Sequence, residues 1–323
     1  MKPKISIVTP SFNQGQFIEE TICSVLDQKY SNLEYIVIDG GSTDNTIHVI
    51  KKYEKFLKYW VSEPDNGQSD AINKGISYCT GDVFNWLNSD DLLESETLHY
   101  LAERFDDPNI DIVSGRELYF EDGQEQVRNG SIVYSQIEKN LLHGVIYQPS
   151  TFWRMEALKP LLPIGVQFHY LMDTHLWISY IMGNGLSKID KVDKVLARFR
   201  LHAESKTVGL PAEFIKERWK LRMGVMKHVL PEFTLFDQLL SEKITKHIDL
   251  KLPDVKVKVN HERLVSMLAD ELCYDFYKEF DYQSIRKLMK LAIEEKIFTT
   301  RLFQYYLRLN LIPKQILNWL RNG

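Results

Sequence analysis

Cysteine is scarce in this chain. Its three residues, Cys23, Cys79 and Cys273, are an odd count with neither a CxxC pair nor the Cys/His spacing of a zinc site. They build no disulfide framework and fit a reducing compartment. Long hydrophobic runs are missing as well: no stretch approaches the roughly 18 apolar residues of a membrane span. The apolar run after Met1 is too short for a secretory signal, so a cytoplasmic location is expected. Basic charge is not in excess. With a formal net charge of -4 the chain has no global attraction for nucleic acid, and any phosphate ligand needs a local site. Neither GxGxxG nor GxxxxGK[ST] occurs, which excludes a dinucleotide fingerprint and a P-loop. No internal repeat or low-complexity tract is present.

What the first hundred residues do have is two alternating hydrophobic periods. Ile5 to Val8 is a continuous apolar run that stops at Thr9-Pro10, as a strand buried on both faces does. Ile18, Ile22, Val25 and Leu26 recur at helical spacing, and a second strand, Tyr35 to Ile38, ends at Asp39-Gly40-Gly41. A helix carrying Ile47, Ile50 and Leu57 follows, with Ser42 or Thr43 as its expected cap, then a strand at Tyr59-Trp60-Val61. The unit recurs with a helix from about Ser69 to Cys79 and a strand from Val83 to Leu87. The class is α/β with a mostly parallel sheet flanked by helices. Short strands around Glu121-Asp122-Gly123 and an alternation from Lys194 to Phe199 predict some antiparallel pairing. Beyond Leu210 helices dominate, at 211–229, 263–277 and 284–294, so a boundary is expected near residue 206, with a helical accessory region over 207–323.

Ligands of an open α/β sheet bind outside the carboxyl ends of its strands. Here those ends are Thr9-Pro10-Ser11, Asp39-Gly40-Gly41, Glu63-Pro64-Asp65 and Asn88-Ser89-Asp90-Asp91. Carboxylates at three of them suit donor groups on a base or ribose and a hard cation. Phosphates alone would call for cations, so a bridging metal is expected.

Four segments in order resemble the signatures of family 2 glycosyltransferases with the GT-A fold. They are Thr9-Pro10-Ser11-Phe12-Asn13, Asp39 to Asp44, Asp65 to Gly75, and Trp86-Leu87-Asn88-Ser89-Asp90-Asp91. The likeness continues through Gln148 to Phe152, Met172 to Trp177 and Phe199 to His202, covering roughly residues 4–207. The resemblance implies transfer of a sugar, with inversion, from a nucleotide-diphosphate donor to a saccharide or lipid-linked saccharide acceptor. A UDP-sugar is the favoured donor, and surface polysaccharide or lipopolysaccharide assembly the associated setting. It implies that Thr9, Pro10, Ser11 and Asp39 hold the base, and that Asp65, Gln68, Ser69 and Asp70 lie near ribose and diphosphate. Asn88, Ser89 and Asp90 stand at the DxD motif, Asn88 as a departure, so Asp90 with His202 is the expected site for Mn²⁺ or Mg²⁺. Asp173 is implied as general base, and Gln148 and Arg200 as acceptor-side or supporting residues.

Plainer readings stand beside these. Asp39 also suits a turn, Asp90 or Asp91 the cap of a helix near Ser95, and Asp173 an N-cap, while His202, His175 and His169 also suit packing roles. A sugar nucleotidyltransferase would want a cation in the first loop, where Ser11 to Gln16 has none, and an inactive binding module has only Asn88 in its favour. From Lys296 to Gly323 five basic and no acidic residues interleave with apolar ones. That composition fits either peripheral attachment at the inner face of a membrane or helices packed on protein.

Overall fold

The apolar run that opens the chain becomes β1 (Ile5–Ser11), buried along its whole length. A computed structural model describes residues 2–121, 123–202, 212–240, 250–279, 281–297 and 299–311. After β1 come α1 (Ile18–Leu26), β2 (Leu33–Asp39), α2 (Thr46–Tyr53), β3 (Tyr59–Ser62), α3 (Gln68–Ile76), β4 (Val83–Trp86), β5 (Leu92–Leu93) and α4 (Thr97–Arg104). Then follow β6 (Ile112–Glu121), β7 (Gln124–Arg128), α5 (Ile137–His143), β8 (Thr151–Arg154), α6 (Met155–Leu158), α7 (Met172–Asn184) and β9 (Ile189–Arg200). The last helices are α8 (Ala212–Val229), α9 (Asp237–Leu240), α10 (His261–Lys278), α11 (Tyr282–Glu294) and α12 (Thr300–Leu311). Two compact units result: residues 1–133 with 144–214, and residues 134–143 with 215–323.

In the first unit one sheet runs β3-β2-β1-β4-β8-β6-β9-β5, with β7 added to β6. The strands β1 to β4 pair in parallel, β8 is antiparallel to both its neighbours, and β9 is parallel to β6. This is the α/β class expected, with antiparallel pairing where it was expected, after residue 112. Register puts Ser11, Asp39 and Ser62 side by side, so three strands end on one line. Helix α3 lies against β1 because Gly75 has no side chain. A Cβ there would come within 2.5 Å of Val8 Cγ1.

Three local expectations give way to tertiary contacts. Ser42 and Thr43 do not cap α2, because Ser42 turns to Asp39 and the N–H of Thr46 is bound by Asp44 Oδ1. Leu57 lies beyond that helix. Neither Asp90 nor Asp91 caps a helix at Ser95: β5 intervenes, and α4 starts after Glu96 in a left-handed turn.

In the second unit α10 packs with α5, α11 and α12. The core is built by Trp219, Leu264, Leu268, Leu272, Phe276, Ile285 and Leu288, all almost wholly buried. Trp219 Nε1 donates to Asp275 Oδ2 at 2.8 Å, and Asn260 and Asp281 cap α10 and α11 through their side chains. In α12, Leu302 and Tyr305 are buried, which favours the packed reading for that helix, while Phe303 is exposed. The rest of the basic tail, 312–323, and the expected boundary at 206 lie outside the described residues. No helix among the described residues is long and apolar enough to cross a membrane.

Gly75→Ala should cost about 1–3 kcal/mol in denaturant unfolding through its overlap with Val8. Val8→Ala in the same chain should return part of that loss, which an additive double-mutant cycle would contradict.

Candidate functional site

Asp39, at the end of β2, is wholly buried, and its carboxylate is held by donors from its own loop and from Ser62 at the end of β3. Oδ2 accepts from Gly41 N–H at 3.2 Å, Ser42 N–H at 2.9 Å and Ser62 Oγ at 2.6 Å, and Oδ1 accepts from Ser42 Oγ at 2.5 Å. Oδ2 thus takes three donors and Oδ1 one, so Oδ1 can accept a further bond. The turn-holding role is therefore realised. Ser42 and Ser62, which hold Asp39, escaped sequence reasoning because their partner lies on another strand or beyond a turn. Thr9 is buried, with its hydroxyl 3.1 Å from Tyr35 OH, so its side chain faces the core. Pro10 is buried beside it, while Ser11 Oγ, also buried, has no partner.

The loop after β3 reaches the start of α3. Asp65 Oδ1 accepts from Gly67 N–H at 2.8 Å, and its other oxygen lies against Gly40, where a Cβ would stand 2.8 Å away. Gly67 precedes the helix at φ 105°, a left-handed conformation in which glycine has no steric penalty. Asp70 accepts from the backbone and side chain of Asn66. Gln68 Nε2 donates to Asn88 Oδ1 at 2.6 Å, tying α3 to the loop after β4. Ser69 Oγ sits 2.8 Å from Met172 Sδ, which brings the first turn of α3 to the first turn of α7, beside Asp173.

The loop after β4 is held from beneath by Asp91. Its buried carboxylate accepts from Asn88 Nδ2 at 3.1 Å and from the backbone N–H of Arg200 at 3.2 Å. Burial, then the charges of Asp90 and Glu117, raise its pKa well above the usual carboxylate range. Ser89 is buried next to it. Asp90 is more open. Its Oδ2 lies 2.9 Å from His202 Nε2, with the two side chains 22 % and 14 % exposed. Arg200 donates to the Asp90 carbonyl and to Glu20, and its guanidinium lies between the rings of Phe17 and Phe120. It braces the Asp90 loop.

Asp173 stands in the first turn of α7, where Oδ1 accepts from Thr174 N–H at 2.6 Å. It is not the N-cap, a position taken by Leu171. Gln148 is buried, and its amide N–H groups donate to Asn85 Oδ1 and the Trp86 carbonyl, so they support β4. Sequence reasoning missed Glu117 on β6. It is 1 % exposed, Oε1 has no partner, and burial with the nearby charge of Asp173 pushes its carboxyl up to about 8, against a lowering hydrogen bond with Tyr119. Its signal was a carboxylate at an inward position of an alternating strand. His175 is buried against Phe168 with Nε2 unpartnered, and burial lowers it to about 4.

The structure thus brings Asp39, Ser11, Asp65, Gln68, Asn88, Asp90 and His202 to the carboxyl ends of the strands, with Asp173 reached through Ser69 and Met172. Among the described residues no cluster of three or more His, Cys, Asp or Glu side chains is arranged to hold a metal ion. Asp90 with His202 is a pair, whose oxygen and imidazole donors suit Mn²⁺. Two protein donors leave the remaining positions to ligand oxygens, so the residues fit such an ion.

This architecture has relatives. Residues 6–161 match the model for glycosyl transferase family 2. An uncharacterized glycosyltransferase of Mycobacterium tuberculosis is 42% identical over 109 residues, 33% of this chain and 37% of its own length. The match thus spans little more than a third of that relative. Among solved structures, Staphylococcus aureus TarS 1–349 in complex with UDP superposes with a TM-score of 0.55 at 17% identity, over 91% of this chain and 92% of that one. The mannosyltransferase PcManGT of Pyrobaculum calidifontis, in complex with GDP-Man and Mn²⁺, superposes at 0.53 and 16% identity, over 91% and 87%. At these identities the two structures speak for the fold alone, which is GT-A-like. Over residues 6–161, a little under half of the chain, the sequence is thus similar to glycosyl transferase family 2.

Glu117 makes stability depend on pH. Below its ordinary 4.5 the folded and unfolded chains both hold the proton. From there to about 8 only the folded chain holds it, so stability falls as pH rises. Glu117→Gln removes this slope, and its advantage in denaturant midpoint should grow from nothing near pH 4.5 to on the order of 1 kcal/mol or more at pH 8. Equal midpoints at both pH values would contradict the assignment.

Proposed function

We propose that the chain is an inverting glycosyltransferase that moves a sugar from a nucleotide-diphosphate donor, a UDP-sugar, to a hydroxyl of a saccharide or lipid-linked saccharide. The observation that carries this reading is the meeting of Asp90 Oδ2 and His202 Nε2 at 2.9 Å, beside the Asn88–Gln68 link to the first turn of α3. A diphosphate at that turn meets the partial positive charge of the helix N-terminus. Ser11 Oγ, without a partner, and Asp39, whose longest bond is the one from Gly41, are the groups offered to the base. The N3–H of uracil suits such acceptors. Asp65 serves the ribose.

Asp90 and His202 would hold a Mn²⁺ or Mg²⁺ ion, which when bound offsets the charge growing on the departing diphosphate. Asp173 takes the proton from the acceptor hydroxyl as that oxygen bonds to the anomeric carbon, while the bond from that carbon to the diphosphate oxygen breaks. One such displacement inverts the centre. Arg200 and Asp91 keep Asp90 in place throughout. Family association supports a role in surface polysaccharide assembly.

Thermal-shift titrations with UDP, GDP, dTDP, CDP and ADP, each with and without Mn²⁺, should give a metal-dependent stabilisation by UDP that Asp90→Ala abolishes. Absence of any nucleotide response would tell against the reading. Asp173→Asn should keep that response while kcat for transfer falls by roughly 10²–10⁴. Unchanged turnover would remove Asp173 from the role of base.

A further inference from the structure

The two faces of the β6–β9 pair differ in chemistry. Side chains alternate across a strand, so Glu117 and Tyr119 share one face, and pairing sets Ala197 and Phe199 of β9 beside them. The opposite face carries Leu118 and Phe120, with Arg198 and Arg200 lying over the Phe120 ring. On the first face Tyr119 stands 4.9 Å from Phe199 and 6.3 Å from Tyr147, and all three rings are half-buried. Rings in such a state bury part of their surface and leave the rest for a ligand. Glu117 adds a polar atom that the fold itself does not use: Oε1 is buried and has no hydrogen-bond partner. A buried polar atom normally finds one, so an orphaned oxygen calls for an explanation. Arg200, next to Phe199 on β9, gives its backbone N–H to Asp91 Oδ1, so this face adjoins the loop of Asp90, and the charge of Asp173 acts on the Glu117 carboxyl.

We propose that this face is the acceptor subsite and that it takes a sugar ring: Tyr119, Tyr147 and Phe199 pack against the C–H face of a pyranose, and Glu117 Oε1 hydrogen-bonds a ring hydroxyl next to the one deprotonated by Asp173. The proposal rests on the transferase reading, which supplies the role of Asp173. Aromatic rings have a negative face that attracts the polarised C–H groups of a sugar, and a carboxyl suits hydroxyls whether it holds a proton or not. The charge of Asp173 disfavours a phosphate at the same place.

Saturation-transfer NMR on the full chain tests this, with methyl glycosides of glucose, galactose, mannose and N-acetylglucosamine as probes, and glycerol phosphate and ribitol phosphate as phosphate-bearing counterparts. At least one glycoside should bind the wild type. Tyr147→Ala and Glu117→Leu should each weaken it roughly tenfold, the loss of about one good contact, while Glu117→Gln keeps binding within about threefold. Unchanged circular dichroism would show that the variants are folded. Glycosides that bind the wild type and both weakening variants equally, phosphate compounds that alone bind, or no binding at all would each overturn the proposal. The UDP·Mn²⁺ thermal shift is read on the same samples. Its absence in wild type sinks the transferase reading, whereas its presence with sugar binding indifferent to Tyr147 and Glu117 sinks the subsite alone.

Discussion

The site hangs on one buried carboxyl. Asp91 accepts from Asn88 and from the backbone of Arg200, and its own carbonyl accepts from Thr21 in α1 at 2.8 Å. Through Asn88 it orients Gln68 at the start of α3. Through the backbone of Arg200 it sets the end of β9, so that the side chain of Arg200 reaches the Asp90 carbonyl and His202 meets the Asp90 carboxylate. A carboxyl in this position is costly to ionise, since no cationic side chain among the described residues pairs with it. The raised pKa is the expected result, and a neutral Asp91 avoids adding its charge to that of Asp90 one residue away.

The same economy of charge extends across the sheet. Glu117 and Asp91 are both pushed toward the neutral form, while Asp90 and Asp173 remain at more open positions. Buried acids thus shape the floor, and the more exposed ones are available to ligand. Asp39 solves the problem differently. Four donors from its own loop and from Ser62 surround it, so burial is compensated by hydrogen bonds. That arrangement stiffens the edge against which a base is proposed to lie. The cationic face of β9 is likewise structural: Arg200 is spent between Phe17, Phe120 and Glu20.

Much of this was legible in residue order. Apolar runs broken by Thr9-Pro10, Asp39-Gly40 and Asn88-Ser89 gave β1, β2 and β4, because strands buried on both faces write themselves as continuous hydrophobic segments. Helices α1, α3, α10 and α11 followed from the 3.6-residue period within a residue or two for most ends. Ser42 is a good cap of α2 by type, yet its Oγ accepts from the N–H of Asn13 and donates to Asp39 instead. Gln148, expected on the acceptor side, spends its amide N–H groups on Asn85 and Trp86.

The sequence by itself determined the class of the fold and the strand ends where chemistry gathers, because periodicity and turn residues are local properties. Only the tertiary structure decided the fate of each polar group. Whether Thr9 faces the core, how Asp39 is held, whether His202 meets Asp90 and whether Glu117 Oε1 finds a partner all depend on residues far apart in the chain. Burial and pairing are set by strand order and register, and neither is encoded in any single segment.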